Sequence, residues 1–362
     1  MARRRDFLTS FGTLTTISIA GCVRGTPVDS ITGDVSQKWT FQTEGSVVSS
    51  PAVRGGSVYV GSDDATIYAI DDKDGIQRWS FQTTAEVVSS PTVVGGTVYV
   101  GSYDTNVYAI SAADGIEQWS SPTGAPVESS PVVKDETVYV GSQDSNVYAI
   151  NAENGIEQWS FPTGDWVDSS PTVVDSTVYI GSEDSNLYAI NAKNGTEKWS
   201  YRTDGEIQSR PAVVDGTVYV GSKDSNVYAI DAENGTKQWS FQTGDEVWSS
   251  PAVKDGRVYV GCIDDNLYAI NADNGTEQWS FQTKDVVESS PTVADSTVYV
   301  GSSDGNMYAI DAENGTKQWS FQTGDEVWSS PAVKDGTIYL GSNDENVYAL
   351  TERDISDADR TS

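Results

Sequence analysis

The chain has 362 residues, with 53 acidic side chains against 22 basic ones and no histidine, so its formal charge is −31. That sign excludes a nucleic-acid footprint, which needs clustered bases to release counterions, and the missing histidine removes the commonest general base and metal ligand together. Cys22 and Cys262 alone allow no disulfide framework and no thiolate metal cluster, while 11 Trp, 18 Tyr and 8 Phe supply a core and argue against disorder.

The first segment is an address. Met1-Ala2-Arg3-Arg4-Arg5-Asp6-Phe7-Leu8 resembles a twin-arginine export signal. The apolar run that follows, to Ala20, is interrupted by Thr and Ser and is too short to span a bilayer. Ser18-Ile19-Ala20-Gly21-Cys22 resembles the lipobox of exported lipoproteins, in which the cysteine becomes the new N-terminus and carries lipid. The resemblance implies a signal peptide over 1–21, lipid attachment at Cys22 and a tether over 22–33.

From about Asp34 the sequence repeats every 40 residues, carried by Trp39, Trp79, Trp119, Trp159, Trp199, Trp239, Trp279 and Trp319. Glycines from Gly61 to Gly341 and prolines from Pro51 to Pro331 keep the same step. Periods near 40 belong to helical arrays or to propeller blades, so the pattern inside the unit decides. Ser250-Pro251-Ala252-Val253, Arg257-Val258-Tyr259-Val260-Gly261, Asn266-Leu267-Tyr268-Ala269-Ile270 and Glu277-Gln278-Trp279-Ser280-Phe281 are short β-branched and aromatic runs. They are separated by Asp-Gly and Asn-Gly turns, which is hairpin grammar, and no window keeps a 3.6-residue period. Each unit therefore predicts four strands, and eight units predict an all-β fold, a single eight-bladed β-propeller over 34–350 with a polar tail over 351–362. A lone Trp-bearing strand, Val35 to Phe41, precedes the first proline, and no such strand follows Leu350. The N-terminal strand is expected to complete the last blade and close the ring.

Ala229-Ile230-Asp231-Ala232-Glu233-Asn234-Gly235-Thr236-Lys237-Gln238-Trp239 resembles the tryptophan-docking motif of pyrroloquinoline quinone (PQQ) type propeller repeats, in which each Trp packs on a neighbouring blade. Two branches of that family matter. The quinone-dependent dehydrogenases hold PQQ between a Trp and a ring of two adjacent cysteines, with calcium beside it. This chain has no vicinal cysteine pair, no long lid insertions and no cytochrome attachment motif. The other branch is non-catalytic and includes the lipoprotein propeller of the outer-membrane β-barrel assembly machinery, a protein-binding platform. The acid excess with little lysine resembles the surfaces of exported proteins from salt-loving archaea, where salt near 1 M shortens the Debye length to about 3 Å and screens self-repulsion.

Positions constant from blade to blade are architectural. The repeated Trp is a docking plug, and Asp144-Ser145-Asn146 and its copies shape Asx turns, with calcium ligation as the alternative. The Asn-Gly-Thr turns at Asn194, Asn234, Asn274 and Asn314 are also formal glycosylation acceptors. Residues that break the repeat carry more information. On the two loop sets expected to surround one mouth of the channel, these are Tyr103, Trp166, Arg210, Lys223, Trp248, Ile263 and Trp328. Extra tryptophans and one arginine resemble a binding hot spot, against drift on a repetitive surface. The stretch Asp231 to Gly256 is identical to Asp311 to Gly336, copying that suits a binding surface better than a constellation of unlike catalytic groups.

The expected function is a non-catalytic, monomeric platform, exported and lipid-anchored on the outer face of the cytoplasmic membrane, with a protein partner at the cell surface. No cofactor and no metal is assigned. The alternatives are a PQQ-binding quinoprotein relative that stacks the quinone on Trp248 or Trp328, and a purely structural envelope component.

Overall fold

A computed structural model of the protein describes residues 35–352. The expected signal peptide, Cys22 and the tether lie outside the described residues, as does the tail from 353. The described residues form eight sheets of four antiparallel strands and contain no helix. The first blade runs outward as Ala52–Arg54, Ser57–Gly61, Thr66–Asp71 and Gln77–Gln82. Each innermost strand neighbours those of the blades on either side, all the way round, so together they enclose an axial channel. The eight-bladed propeller expected from the repeat is the fold found.

Closure is also as expected. Val35–Gln42 pairs antiparallel with Asn346–Glu352 and serves as the outermost strand of the eighth blade. The partner strand runs to Glu352, past the expected boundary at 350, because Val35 and Ser36 need Glu352 and Thr351 opposite them.

Local chemistry explains the blade. The middle strands are buried along their whole length, and their runs are accordingly continuous rather than alternating. Every outermost strand carries a bulge just before its tryptophan, such as the register shift that skips Arg78 between Gln77 and Trp79. The extra residue leaves Gln77 and Arg78 exposed and turns the indole of Trp79 inward. That indole then docks on the next blade, where Nε1 of Trp79 donates to the carbonyl of Ala112 at 3.0 Å. The Tyr59 hydroxyl donates to the same carbonyl at 3.3 Å.

The seam repeats this arrangement, with Trp39 and Tyr339 of the eighth blade both donating to the carbonyl of Asp72 in the first. Beneath Trp39 lies Gly75 at φ +74°, where a Cβ would come within 2.8 Å of the indole. One interface differs. At the equivalent position the eighth blade has Glu352, whose carboxylate takes the place of the backbone carbonyl as acceptor, receiving bonds from Tyr299 at 2.7 Å and Trp319 at 3.2 Å.

The core consists of apolar clusters, each shared by two adjacent blades. Tyr59, Ile67 and Trp79 of the first blade pack with Val98, Tyr108 and Ile110 of the second. At the closing seam Trp39, Tyr339 and Val347 pack with Val58, Tyr68 and Ile70. No blade buries its apolar faces alone, so the ring is the folding unit.

Candidate functional site

The mouth face is built from two loop sets, one entering each innermost strand and one joining the second and third strands. They interlock through the backbone. The N–H of Tyr103 donates to the carbonyl of Glu86, that of Lys223 to Glu206, and that of Ile263 to Glu246. At three junctions the loop between the second and third strands also meets, through side chains, the loop that enters the next blade. Tyr103 Oη donates to Glu128 at 2.7 Å, Gln208 Nε2 to Glu183 at 2.7 Å, and Trp328 Nε1 to Ser303 Oγ at 2.9 Å. Side chains thus tie the mouth across blades at these three junctions.

The candidate residues are spread round this ring. Tyr103 belongs to the second blade, Trp166 to the loop entering the fourth, and Arg210 and Lys223 to the fifth. Trp248 and Ile263 belong to the sixth blade, and Trp328 to the loop entering the eighth. Trp166, Arg210, Lys223, Trp248 and Ile263 therefore form one arc over three adjacent blades, with Tyr103 and Trp328 outside it. Within the arc, Lys223 Nζ stands 5.1 Å from the Trp248 ring centroid and 2.6 Å from Glu206, while Trp248 Nε1 donates to Glu246 at 2.7 Å. A cation over an indole, tied by a carboxylate on each side, holds that half-buried ring in one orientation. Trp166 is half-buried too, its carbonyl accepting from Glu183 and Ser182.

One titrating group was not singled out in the sequence. Asp63 opens onto solvent at the mouth, yet its carboxyl rises to about 6 because burial by the surrounding loops and the charges of Glu86, Asp64 and Glu128 disfavour the anion. Acid density was visible in the composition, but which acids face one another was not. The repeated turn aspartates are committed locally. Asp144 accepts from the Asn146 N–H at 3.0 Å, the Tyr148 hydroxyl at 2.7 Å and the Gly124 N–H at 2.6 Å. That geometry is an Asx turn tied to the incoming loop. Among the described residues no group of three or more Cys, Asp or Glu is arranged to hold a metal ion. Cys262, in a column of serines, is fully buried, and burial pushes its thiol up to about 12, so it is a packing group rather than a nucleophile. The eight docking tryptophans lie on outermost strands between blades, away from this face.

Comparison with known proteins adds the following. The family model described as outer membrane protein assembly factor BamB (PQQ_2) matches residues 28–165, 143–250 and 243–357. No curated protein sequence matches the chain. Among solved structures, BamB from Moraxella catarrhalis superposes with a TM-score of 0.77 at 16% identity, covering 88% of this chain and 99% of that one. The computationally designed protein Ika8 gives 0.76 at 19%, covering 86% and 98%. The quinohemoprotein alcohol dehydrogenase of Comamonas testosteroni gives 0.75 at 16%, covering 88% and 76%. At these identities the superpositions establish the shared fold and nothing finer.

Proposed function

We propose that this chain, which belongs to the PQQ_2 family described as outer membrane protein assembly factor BamB, is a non-catalytic scaffold that binds a protein partner on its mouth face. The observation that carries the reading is the arc from Trp166 to Ile263. It is the stretch of an otherwise eightfold surface where half-exposed aromatic and aliphatic side chains and a cation replace the repeated polar residues over adjacent blades. Partly exposed tryptophans held in place by their neighbours lose little entropy on binding, which is why such residues dominate interface energies. The reading includes a monomeric chain and, supported by the N-terminal motifs, export by the twin-arginine route, lipid on Cys22 and anchoring at the outer face of the cytoplasmic membrane.

Cross-linking in native membranes at the host's own salt concentration tests it. One partner is expected to be captured by the natural chain, lost by the Trp166→Ala, Trp248→Ala double variant and retained by Trp328→Ala. Unchanged capture by the double variant refutes the mouth as the binding face. The similarity to a quinohemoprotein supports a rival reading as an oxidoreductase, and the same preparation separates the two. Added PQQ is expected to leave tryptophan fluorescence unchanged, whereas saturable quenching favours the rival.

A further inference from the structure

Just inside the mouth, the residue before each innermost-strand proline sits between two buried neighbours. Ser49 and Pro51 are buried and Ser50 is not, so the alternation of an extended chain turns position 50 to the channel. Seven blades have serine there, and these serines are linked round the ring. The N–H of Ser50 donates to Ser90 Oγ at 2.9 Å, and the pattern continues from blade to blade until Ser330 N–H meets Ser50 Oγ at 3.0 Å. Each of the seven hydroxyl oxygens is thus an acceptor within the ring. None of these hydroxyls has an acceptor for its own proton among the described residues, and accepting one bond strengthens it as a donor of the next.

The fifth blade breaks the ring. Arg210 keeps the backbone bond to Ser250 Oγ at 2.9 Å but has no hydroxyl to offer, so the Ser170 N–H finds none. Its side chain reaches back along the channel wall, where Nε donates to Thr172 Oγ1 at 3.0 Å. The two terminal guanidinium nitrogens have no partner among the described residues, and no carboxylate stands within ion-pair reach. The side chain is exposed to solvent, yet desolvation by the loops packed round it lowers its pKa, with no countercharge to offset it. Toward the mouth, the preceding alternate position carries Glu128, Asp168 and Glu288, but further down the wall acid is absent. At the next two alternate positions, Ala52 and Arg54 and their equivalents, no blade carries Asp or Glu, while Lys134, Lys254 and Lys334 join Arg54 at the far end. In a chain of charge −31, the wall below Arg210 carries no acid at these positions.

We propose that Arg210, with the Ser170 N–H and the hydroxyls of Ser170 and Ser250 beside it, is a carboxylate-binding site at the top of the axial channel. With Nε engaged by Thr172, the terminal nitrogens present the planar fork that matches a carboxylate through two parallel hydrogen bonds. The neutral donors flanking it complete the shell without adding charge. The carboxylate comes either from a free small acid or from an Asp or Glu side chain of a bound polypeptide. This deepens the platform reading at one of its candidate residues, yet the two fail separately. Loss of carboxylate binding with partner capture intact refutes only the site, and the reverse refutes only the platform.

The test uses the full chain at constant ionic strength in chloride, with saturation-transfer NMR of acetate, of acetamide as a neutral isostere, and of acetyl-Gly-Glu-Gly-amide. Acetate or the peptide is expected to bind saturably and acetamide not. Arg210→Ser, which completes the serine ring and so suits the fold, is expected to lower carboxylate affinity at least ten-fold, and Arg210→Lys to give an intermediate loss. Binding of acetate alone identifies a free acid as the occupant, and tighter binding of the peptide identifies a side chain. Failure of both carboxylates to bind, equal binding of acetamide, or unchanged affinity in Arg210→Ser overturns the proposal.

Discussion

Asp63 stands at the mouth with Glu86, Asp64 and Glu128 around it, and its proton is held to about pH 6. An ordinary aspartate releases its proton near 3.8, so between those values the folded chain binds more protons than the unfolded one. Stability from this group therefore falls as pH rises from about 4 to 6 and stays reduced above, the reverse of a salt-bridged carboxylate. The full shift corresponds to roughly 3 kcal/mol, but solvent at the open mouth screens it to roughly 1 kcal/mol. Asp63→Asn is expected to be more stable than the natural chain by that amount at pH 8, with the advantage gone near pH 4. Urea unfolding at the two pH values measures it; an equal gain at both would show that charge is not the cause.

Among the elements, the bulged outermost strand and the hairpin it docks on form one device. The bulge aims the indole, and the glycine of the neighbouring hairpin makes room for it. Gly75 and Gly216 separate the two demands on such a residue. Both have positive φ, +74° and +76°, but a Cβ on Gly75 would strike Trp39 while one on Gly216 meets nothing within 4 Å. Gly216→Ala is expected to cost about 1 kcal/mol, the backbone term alone. Gly75→Ala adds overpacking of about 1–3 kcal/mol. Chemical denaturation of the two variants should show that difference in midpoint; equal losses would mean the docked indole moves aside at no cost.

At the scale of the whole molecule, two long-range effects oppose one another. The seam joins residues near the two ends of the described chain through an apolar cluster and Trp and Tyr bonds to a carbonyl, like the interfaces other than the one at Glu352, so closure adds a full interface to stability. Against it stands the charge of −31, relieved among the described residues by ion pairs at Arg78–Asp71, Lys223–Glu206 and Lys334–Asp72. Three partly exposed pairs offset little of that charge, so screening must come from solution. Raising NaCl from about 0.1 M to about 1 M shortens the Debye length from about 10 Å to about 3 Å and is expected to raise Tm by roughly 5 °C. A Tm indifferent to salt would show that the acid surface does not strain the fold.

The sequence by itself determined the strand content, the number of blades and the closing role of Val35–Gln42. Those features follow from hairpin grammar and a fixed step, both local and both repeated eight times. Only the tertiary structure decided what the mouth residues do. Trp248 and Trp328 lie in identical stretches, yet Trp248 bonds Glu246 beneath Lys223 while Trp328 bonds Ser303. The proton on Asp63, the carboxylate of Glu352 serving as a carbonyl, and the guanidinium of Arg210 without an acid have the same origin. Each depends on a side chain supplied by another strand or the neighbouring blade, and a contact between repeats leaves no mark in the repeat that makes it.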